Sequence, residues 1–348
     1  MGPQPAMQAA VYVAPNRVEL RVLPVPQIGP GELLVRTWGT GLCGTDINKI
    51  RHGAAEPGAV LGHELVGWVA QVGEGVVGFR VGDRIAATHH VPCFTCHFCL
   101  HGSYSMCSTF RATSFDPGGF AEYVRLSASH VRHATFRLPD EVGFAEGIFL
   151  EPLACSLRAV QRAGVQRGDL VWIVGVGPSG LLLVLAASLQ DARVVVSDLL
   201  DSRLTLARQL GVELAANAVR DDLPAIVRRA SGGLGADVVV LTVPEPRVLA
   251  QAMASVRPGG TILVFAGTPG QPETPLDLYA LWRHEINLVS SYSPDPRALE
   301  QAFYLIGHGR VPVARIPTDE VGLDGIERAI AMAVKGEVGK VIVRIGGL

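Results

Sequence analysis

The stretch 169–189, DLVWIVGVGPSGLLLVLAASL, restricts the fold more than any other part of the chain. An apolar run of strand length gives way to glycines and then to an apolar run of helix length. Gly175, Gly177 and Gly180 make the pattern G-x-G-x-x-G. In that pattern the first glycine turns the chain, the second lets the backbone approach a pyrophosphate, and the third lets helix and strand pack closely. Pro178 falls in the first helical turn, where a missing N–H costs little, and Ser179 follows it. The helix N-terminus then faces the phosphates of a dinucleotide. A second strand, ARVVVSD, ends at Asp198, eighteen residues after Gly180. An acid there binds both hydroxyls of the adenosine ribose and favours NAD over NADP. The same Asp198 also fits as a cap on the helix that follows. Arg203 lies over the adenine or is a solvated helix residue; if it meets a 2′-phosphate instead, the cofactor is NADP.

Apolar stretches at 236–243, 260–267 and 286–292 continue this half, with helical segments between the earlier ones. Strands alternating with helices indicate a parallel, doubly wound sheet. The first 150 residues differ: short strands, frequent Gly and Pro and little helical periodicity indicate an irregular β domain. PDPRALEQAFYLIGHG is one more helix, and GKVIVRI is a late strand able to return to the first domain. A length of 348 residues fits about two domains. The 48% hydrophobic and 18% charged content supplies buried cores and argues against disorder. A net charge of −2 gives no reason to expect nucleic acid or an anionic membrane as partner. MGPQPAMQAAVYV lacks the basic start and apolar run of a leader, and LLLVLAASL is too short to span a bilayer. A soluble, cytoplasmic protein is the expectation. The basic residues are nearly all arginine; Lys49, Lys335 and Lys340 are the only lysines.

Four of the six cysteines, Cys93, Cys96, Cys99 and Cys107, fall within fifteen positions. In a reducing compartment such clusters hold metal more often than they form disulfides. The spacing C-x2-C-x2-C-x7-C suits tetrahedral zinc, with the fourth thiol closing the site after a reversal near Gly102. A redox dithiol and an iron–sulfur cluster compete with zinc, but dithiols rarely come as four and ferredoxin-type spacing is missing. A site closed by four thiolates has no open position, so this cluster is structural and the chemistry lies elsewhere. GLCGTDINK supplies Cys43, Thr45 and Asp46; LGHELVG supplies His63 and Glu64; LEPLACS supplies Glu151 and Cys155. Cys, His and a carboxylate brought together by folding make a three-ligand zinc site with a fourth position open.

These motifs, with GVVGFRVGDRI and GGFAEYV, stand in the order and at the spacings of a known family. From about residue 8 to 345 the chain resembles the zinc-containing medium-chain dehydrogenases, the alcohol, sorbitol and threonine dehydrogenase group. The resemblance implies an α/β protein: a GroES-like irregular β catalytic domain (1–149), a Rossmann NAD-binding domain (150–290), and a segment (291–348) returning to the first. It places the active site in the cleft between the domains. It implies two zinc ions per chain, NAD and a homotetramer with Rossmann sheets joined edge to edge, 260–267 and 286–292 being the outer strands. By position, Cys43 and His63 are catalytic zinc ligands, and Glu64 binds the metal or stands close behind it. Glu151 lies where the alcohol dehydrogenases have a third cysteine and the polyol and threonine branches have glutamate, which leaves Cys155 aside. Thr45 matches the hydroxyl that passes the substrate proton, and Asp46 the carboxylate that orients the ligand histidine. Relatives commonly have a relay histidine where this chain has Asn48; water, a cofactor ribose hydroxyl or a nearby His takes its place, and His52, though close in sequence, reads first as a lone exposed histidine. His89 and His90 either approach the substrate or are exposed loop residues.

The resemblance implies NAD-dependent oxidation of a secondary alcohol, a polyol, sugar alcohol or cyclitol, to a ketone. A threonine 3-dehydrogenase-like or simple alcohol dehydrogenase activity is the runner-up. A nucleotide-binding sensor without catalysis, or a zinc-free quinone reductase, would lack the ligand residues that this chain carries.

Overall fold

In the computed structural model, which describes residues 5–243, 245–267, 273–336 and 338–346, β1 (Ala6–Ala14) and β2 (Arg17–Pro24) form an antiparallel hairpin. Residues 1–4, part of the stretch read for a leader, lie outside the described residues. Asn16 takes the left-handed conformation that the turn needs, with φ 61°. β3 (Leu33–Gly41), β4 (Glu64–Val72), β5 (Arg84–Thr88), β6 (Tyr123–Leu126) and β7 (Thr135–Arg137) follow. Their inward side chains, among them Leu33, Val35, Leu65, Val69, Ile85, Val124 and Leu126, form one core.

The next six strands are β8 (Leu170–Val174), β9 (Arg193–Asp198), β10 (Leu214–Asn217), β11 (Ala236–Leu241), β12 (Val256–Val264) and β13 (Asn287–Ser290). They make a parallel sheet in the order β10-β9-β8-β11-β12-β13. All five residues of β8 are buried, as expected for a central parallel strand covered on both faces. Of the two strands expected at the outside, β13 is the edge and β12 lies next to it.

The chain then returns to the first sheet as β14 (Thr318–Gly322) and β15 (Lys340–Arg344). That sheet runs β14-β15-β3-β4-β5-β7, with β6 also paired to β3. The chain divides into one compact unit of Met1–Glu151 with Asp295–Leu348 and another of Pro152–Pro294. Among the described residues no helix is long and apolar enough to cross a membrane.

Candidate metal and nucleotide sites

The first site is built where β3 ends and α1 (Gly44–His52) begins. Cys43 is the N-cap, and Asp46, three residues on, closes the turn by accepting the Cys43 N–H at 3.2 Å. That carboxylate is almost fully buried and does two more things. It accepts the Gly62 N–H at 3.3 Å and faces His63 Nδ1 at 3.2 Å. Holding Nδ1 turns the ring so that Nε2 is the free ligand atom. Burial pushes Asp46 toward its acid form, but the His63 charge and these hydrogen bonds outweigh it and hold the carboxyl below its ordinary range. His63 answers in the opposite sense: burial lowers its proton affinity, while Asp46 and Cys43 together raise it well above the ordinary imidazole value.

β4 starts one residue later with Glu64, so the ligand-type atoms of Cys43, His63 and Glu64 come within 4.8 Å of one another. Glu64 is 2% exposed. Its counter-charge comes from β15: Lys340 Nζ donates to Oε1 at 2.6 Å and lies 2.5 Å from Oε2, so the ammonium faces both oxygens. A thiol, an imidazole nitrogen and a carboxylate are a donor set that suits zinc with a position left open. Burial lowers the Lys340 proton affinity, but Glu64, Cys43 and Glu151 raise it above the ordinary lysine value. Gly41 makes room for the pair, since a Cβ there would collide with Glu64 Oε2 and come within 2.9 Å of Lys340 Cε.

Glu151 is buried in the first turn of the helix Leu150–Arg162 and its charge reaches Lys340, but it is not one of the three residues grouped within 4.8 Å. Cys155 lies one turn further along that helix. Thr45 is exposed on α1, Asn48 half-buried, and His52 exposed at the helix end. His89 and His90 are not exposed loop residues. Both are half-buried, with ring centroids 3.6 Å apart, and His89 lies 4.6 Å from His63. Burial pushes both imidazoles down, His90 to about 4 although its bond to the Thr113 carbonyl works the other way, and neighbouring charges add to the lowering.

The second group is Cys93, Cys96, Cys99 and Cys107, which also lie within 4.8 Å of one another. Three Sγ–Sγ separations are 3.5, 3.6 and 3.9 Å. Four thiolates at about 2.3 Å from a tetrahedral zinc stand roughly 3.8 Å apart, so the set fits the ion. Gly102, with φ 73°, makes the reversal that brings Cys107 back. Hydrogen bonds from Thr95 and Cys96 hold the Cys93 thiol at about 6, whereas burial pushes Cys99 up to about 12.

The glycine turn joins β8 to the helix Pro178–Ser188. Its three glycines have different reasons to be glycine. A Cβ on Gly175 would collide with Thr242 Oγ1, and one on Gly180 with the Gly175 carbonyl. A Cβ on Gly177 would meet nothing nearer than the Arg203 guanidinium at 3.7 Å, so that bare backbone is left for something outside the chain to approach. Ser179 is exposed beside it. Asp198 ends β9 buried, with Oδ2 accepting the Val176 N–H at 2.8 Å and Oδ1 the Leu200 N–H at 3.0 Å. It therefore both ties the glycine turn and caps the next segment. Arg203 stands 3.6 Å from the same carboxylate.

Comparison with known proteins gives the family. Residues 29–140 match the alcohol dehydrogenase GroES-like domain, and residues 178–307 the zinc-binding dehydrogenase domain. A sorbitol dehydrogenase of Bacillus subtilis is 32% identical, covering 97% of both chains. The chain belongs to the zinc-containing alcohol dehydrogenase family. An L-threonine 3-dehydrogenase of Pyrococcus abyssi is 30% identical over 93% of this chain and 94% of its own. A zinc-binding dehydrogenase of Sinorhizobium meliloti, solved bound to NADP, has 27% identity and a TM-score of 0.88, covering 98% of this chain and 100% of that one. The dehydrogenase is thus an oxidoreductase acting on alcohol groups. Lys340 is the site residue that sequence reading missed; its rarity as a lysine was the available signal.

Proposed function

We propose that this dehydrogenase oxidises a secondary alcohol of a polyol, a sugar alcohol or cyclitol, to the ketone with NAD as acceptor. Two zinc ions per chain, a homotetrameric assembly and a cytoplasmic location complete the proposal. The observation that carries it is the meeting of Cys43, His63 and Glu64 beside the exposed Thr45 hydroxyl. Zinc supplies Lewis acidity at the alcohol oxygen, and NAD the hydride acceptor, when they are bound. Cys43, His63 and a carboxylate from Glu64 or Glu151 hold the metal. Asp46 keeps His63 in the tautomer that presents Nε2. Thr45 Oγ1 takes the hydroxyl proton as the carbinol C–H bond breaks with its electron pair. Asn48, a neutral amide, cannot carry that proton onward, and it leaves through water.

The preference for NAD rests on Asp198, whose charge opposes a 2′-phosphate and commits Arg203 to an ion pair. Gly175, Gly177, Pro178, Ser179 and Gly180 cradle the pyrophosphate. The sorbitol and threonine dehydrogenase relatives support an alcohol flanked by polar groups, a 3-hydroxy amino acid being the second reading. Two apolar patches support the tetramer. Leu278, Tyr279 and Trp282 are exposed on a helix of the unit whose sheet ends at β13, and Phe98 and Leu100 are exposed on the cysteine loop. An uncovered strand edge otherwise invites aggregation. A screen of the zinc-loaded enzyme over polyols, amino acids and simple alcohols, each with NAD and NADP, tests the reading. Turnover of no secondary alcohol refutes the reaction, and higher efficiency with NADP refutes the role given to Asp198.

A further inference from the structure

Only three of the 30 basic residues are lysines, and two of the three belong to the catalytic unit's site. Lys335 is exposed on a surface helix, and Lys340 is buried against Glu64. Lys49 is unlike either. It is half-buried on α1, one helical turn beyond Thr45, and pairs with no carboxylate among the described residues. The acids around it are engaged: Asp46 by His63 and two backbone N–H groups, Glu64 by Lys340. Asp46, one turn before Lys49 on α1, faces His63, and the His63 ring packs against His89, which packs against His90, so the helix that carries Lys49 adjoins these rings.

Those two rings have hydrogen-bonding capacity to spare. His90 Nδ1 lies 2.8 Å from the Thr113 carbonyl, so it carries the proton and Nε2 presents a lone pair. His89 Nδ1 is buried with no partner. A buried polar atom left unpaired costs free energy unless a ligand satisfies it. One unpaired ammonium, one imidazole acceptor and one unsatisfied imidazole nitrogen therefore lie on elements that meet at His63, one of the metal-ligand residues.

We propose that Lys49, His89 and His90 form a subsite for the far end of the substrate, and that the substrate is a polyol carrying a single negative charge, a polyhydroxy carboxylate. This rests on the dehydrogenase reading above and narrows it. Lys49 holds the carboxylate by a charge-assisted hydrogen bond. The His90 lone pair accepts from a substrate hydroxyl, which a neutral polyol also offers but a simple alcohol does not. Four residues of helix separate Thr45 from Lys49, roughly 6 Å along the axis, so the charged end lies several bonds from the reacting carbon. A phosphate monoester would bring about −1.5 to −2 charges against one ammonium. A 3-hydroxy amino acid would bring its own ammonium beside Lys49, a like-charge contact.

The test pairs six-carbon aldonates with their alditols: gluconate with sorbitol, galactonate with galactitol, mannonate with mannitol, and sorbitol 6-phosphate as a further arm. The zinc-loaded full-length enzyme should favour the acid at least tenfold in kcat/KM in one pair or more. Lys49→Met should cut that acid-to-alditol ratio at least tenfold, mainly through KM. Lys49→Arg should restore part of it, and the exposed control Lys335→Met should leave it alone. Alditols preferred in every pair, or a ratio untouched by Lys49→Met, overturns the subsite while leaving the dehydrogenase reading intact. Preference for sorbitol 6-phosphate overturns the carboxylate assignment. Should no compound be turned over, the dehydrogenase reading fails, and calorimetric titration of gluconate decides the subsite separately. Binding weakened tenfold by Lys49→Met supports it; no binding, or equal binding, overturns it.

Discussion

Replacing Lys340 by methionine should uncover a buried charge. The side chains of Lys340 and Glu64 are 5% and 1% exposed, and the ammonium touches both carboxylate oxygens at 2.5–2.6 Å. Removing one partner of a buried ion pair costs about 3–5 kcal/mol, because the other charge stays behind without compensation. At about 2–4 °C per kcal/mol, melting of the unit that contains Met1–Glu151 should fall by roughly 6–20 °C. The measurement is thermal unfolding of chelator-treated protein, followed by near-ultraviolet circular dichroism. Adding zinc should recover part of the loss, since the ion supplies positive charge beside the Glu64 carboxylate and binds the folded ligand set more tightly than the unfolded chain. Lys340→Met combined with Glu64→Gln should melt above Lys340→Met alone, because the double variant removes both charges of the pair. A single variant that melts within about 2 °C of wild type in chelator, or a double variant that melts below it, would refute the reasoning.

Elemental analysis should find two zinc ions in wild type and one in either Cys43→Ala or Cys107→Ala. Cys107→Ala should also melt lower, since structural zinc contributes folding energy directly; two ions retained in either variant would refute the division of ligands. Gly180→Ala should destabilise the nucleotide-binding unit by about 1–3 kcal/mol through its collision with the Gly175 carbonyl. Gly177→Ala should instead melt nearly as wild type and weaken NADH binding in a fluorescence titration; the reverse pattern would exchange the roles of the two glycines. Burial holds His90 at about 4, below the ordinary 6.5, so the folded chain binds fewer protons than the unfolded chain between those values. Stability should therefore fall as pH drops from 6.5 toward 4, by at most about 3 kcal/mol from this residue. In melts of chelated protein the His90→Asn variant should show a shallower fall, and an equal fall would mean that His90 stays exposed. Sedimentation at micromolar concentration should give a tetramer, and a monomer would refute the role assigned to the exposed Tyr279 and Trp282 helix.

What could be read in the sequence was whatever one local pattern specifies. The glycine turn, β8, β9 and the four-thiol loop each carry their own signal within some twenty residues. Cys43 lies on a different segment from His63 and Glu64, so the motifs suggested a shared zinc site but only the resemblance assigned its ligands by position. β10 escaped notice because LAAN has four residues and no β-branched side chain; its parallel pairing with β9 makes it a strand. β14, TDEVG, buries only Val321, so no period of two shows, and β15 imposes its conformation. The Lys340–Glu64 pair spans 276 residues, and nothing local at either end announces the other. The stacking of His89 on His63 is likewise a product of β4 lying beside β5, in register from Glu64 and Thr88.

That same span sets an order of events during translation. Synthesis runs from the N-terminus, so Cys43, His63 and Glu64 leave the ribosome long before β15 does. Until β15 arrives, β3 has a bare edge at Gly39–Gly41 and Glu64 has no lysine beside it. The stretch Pro152–Pro294, by contrast, is continuous and can complete its own sheet while the flanking unit waits. A nascent or prematurely terminated chain therefore presents a finished nucleotide-binding half attached to an open, sticky β half. Zinc taken up before β15 docks would act as a placeholder cation for Lys340, tying metal supply to the yield of folded protein as well as to its activity.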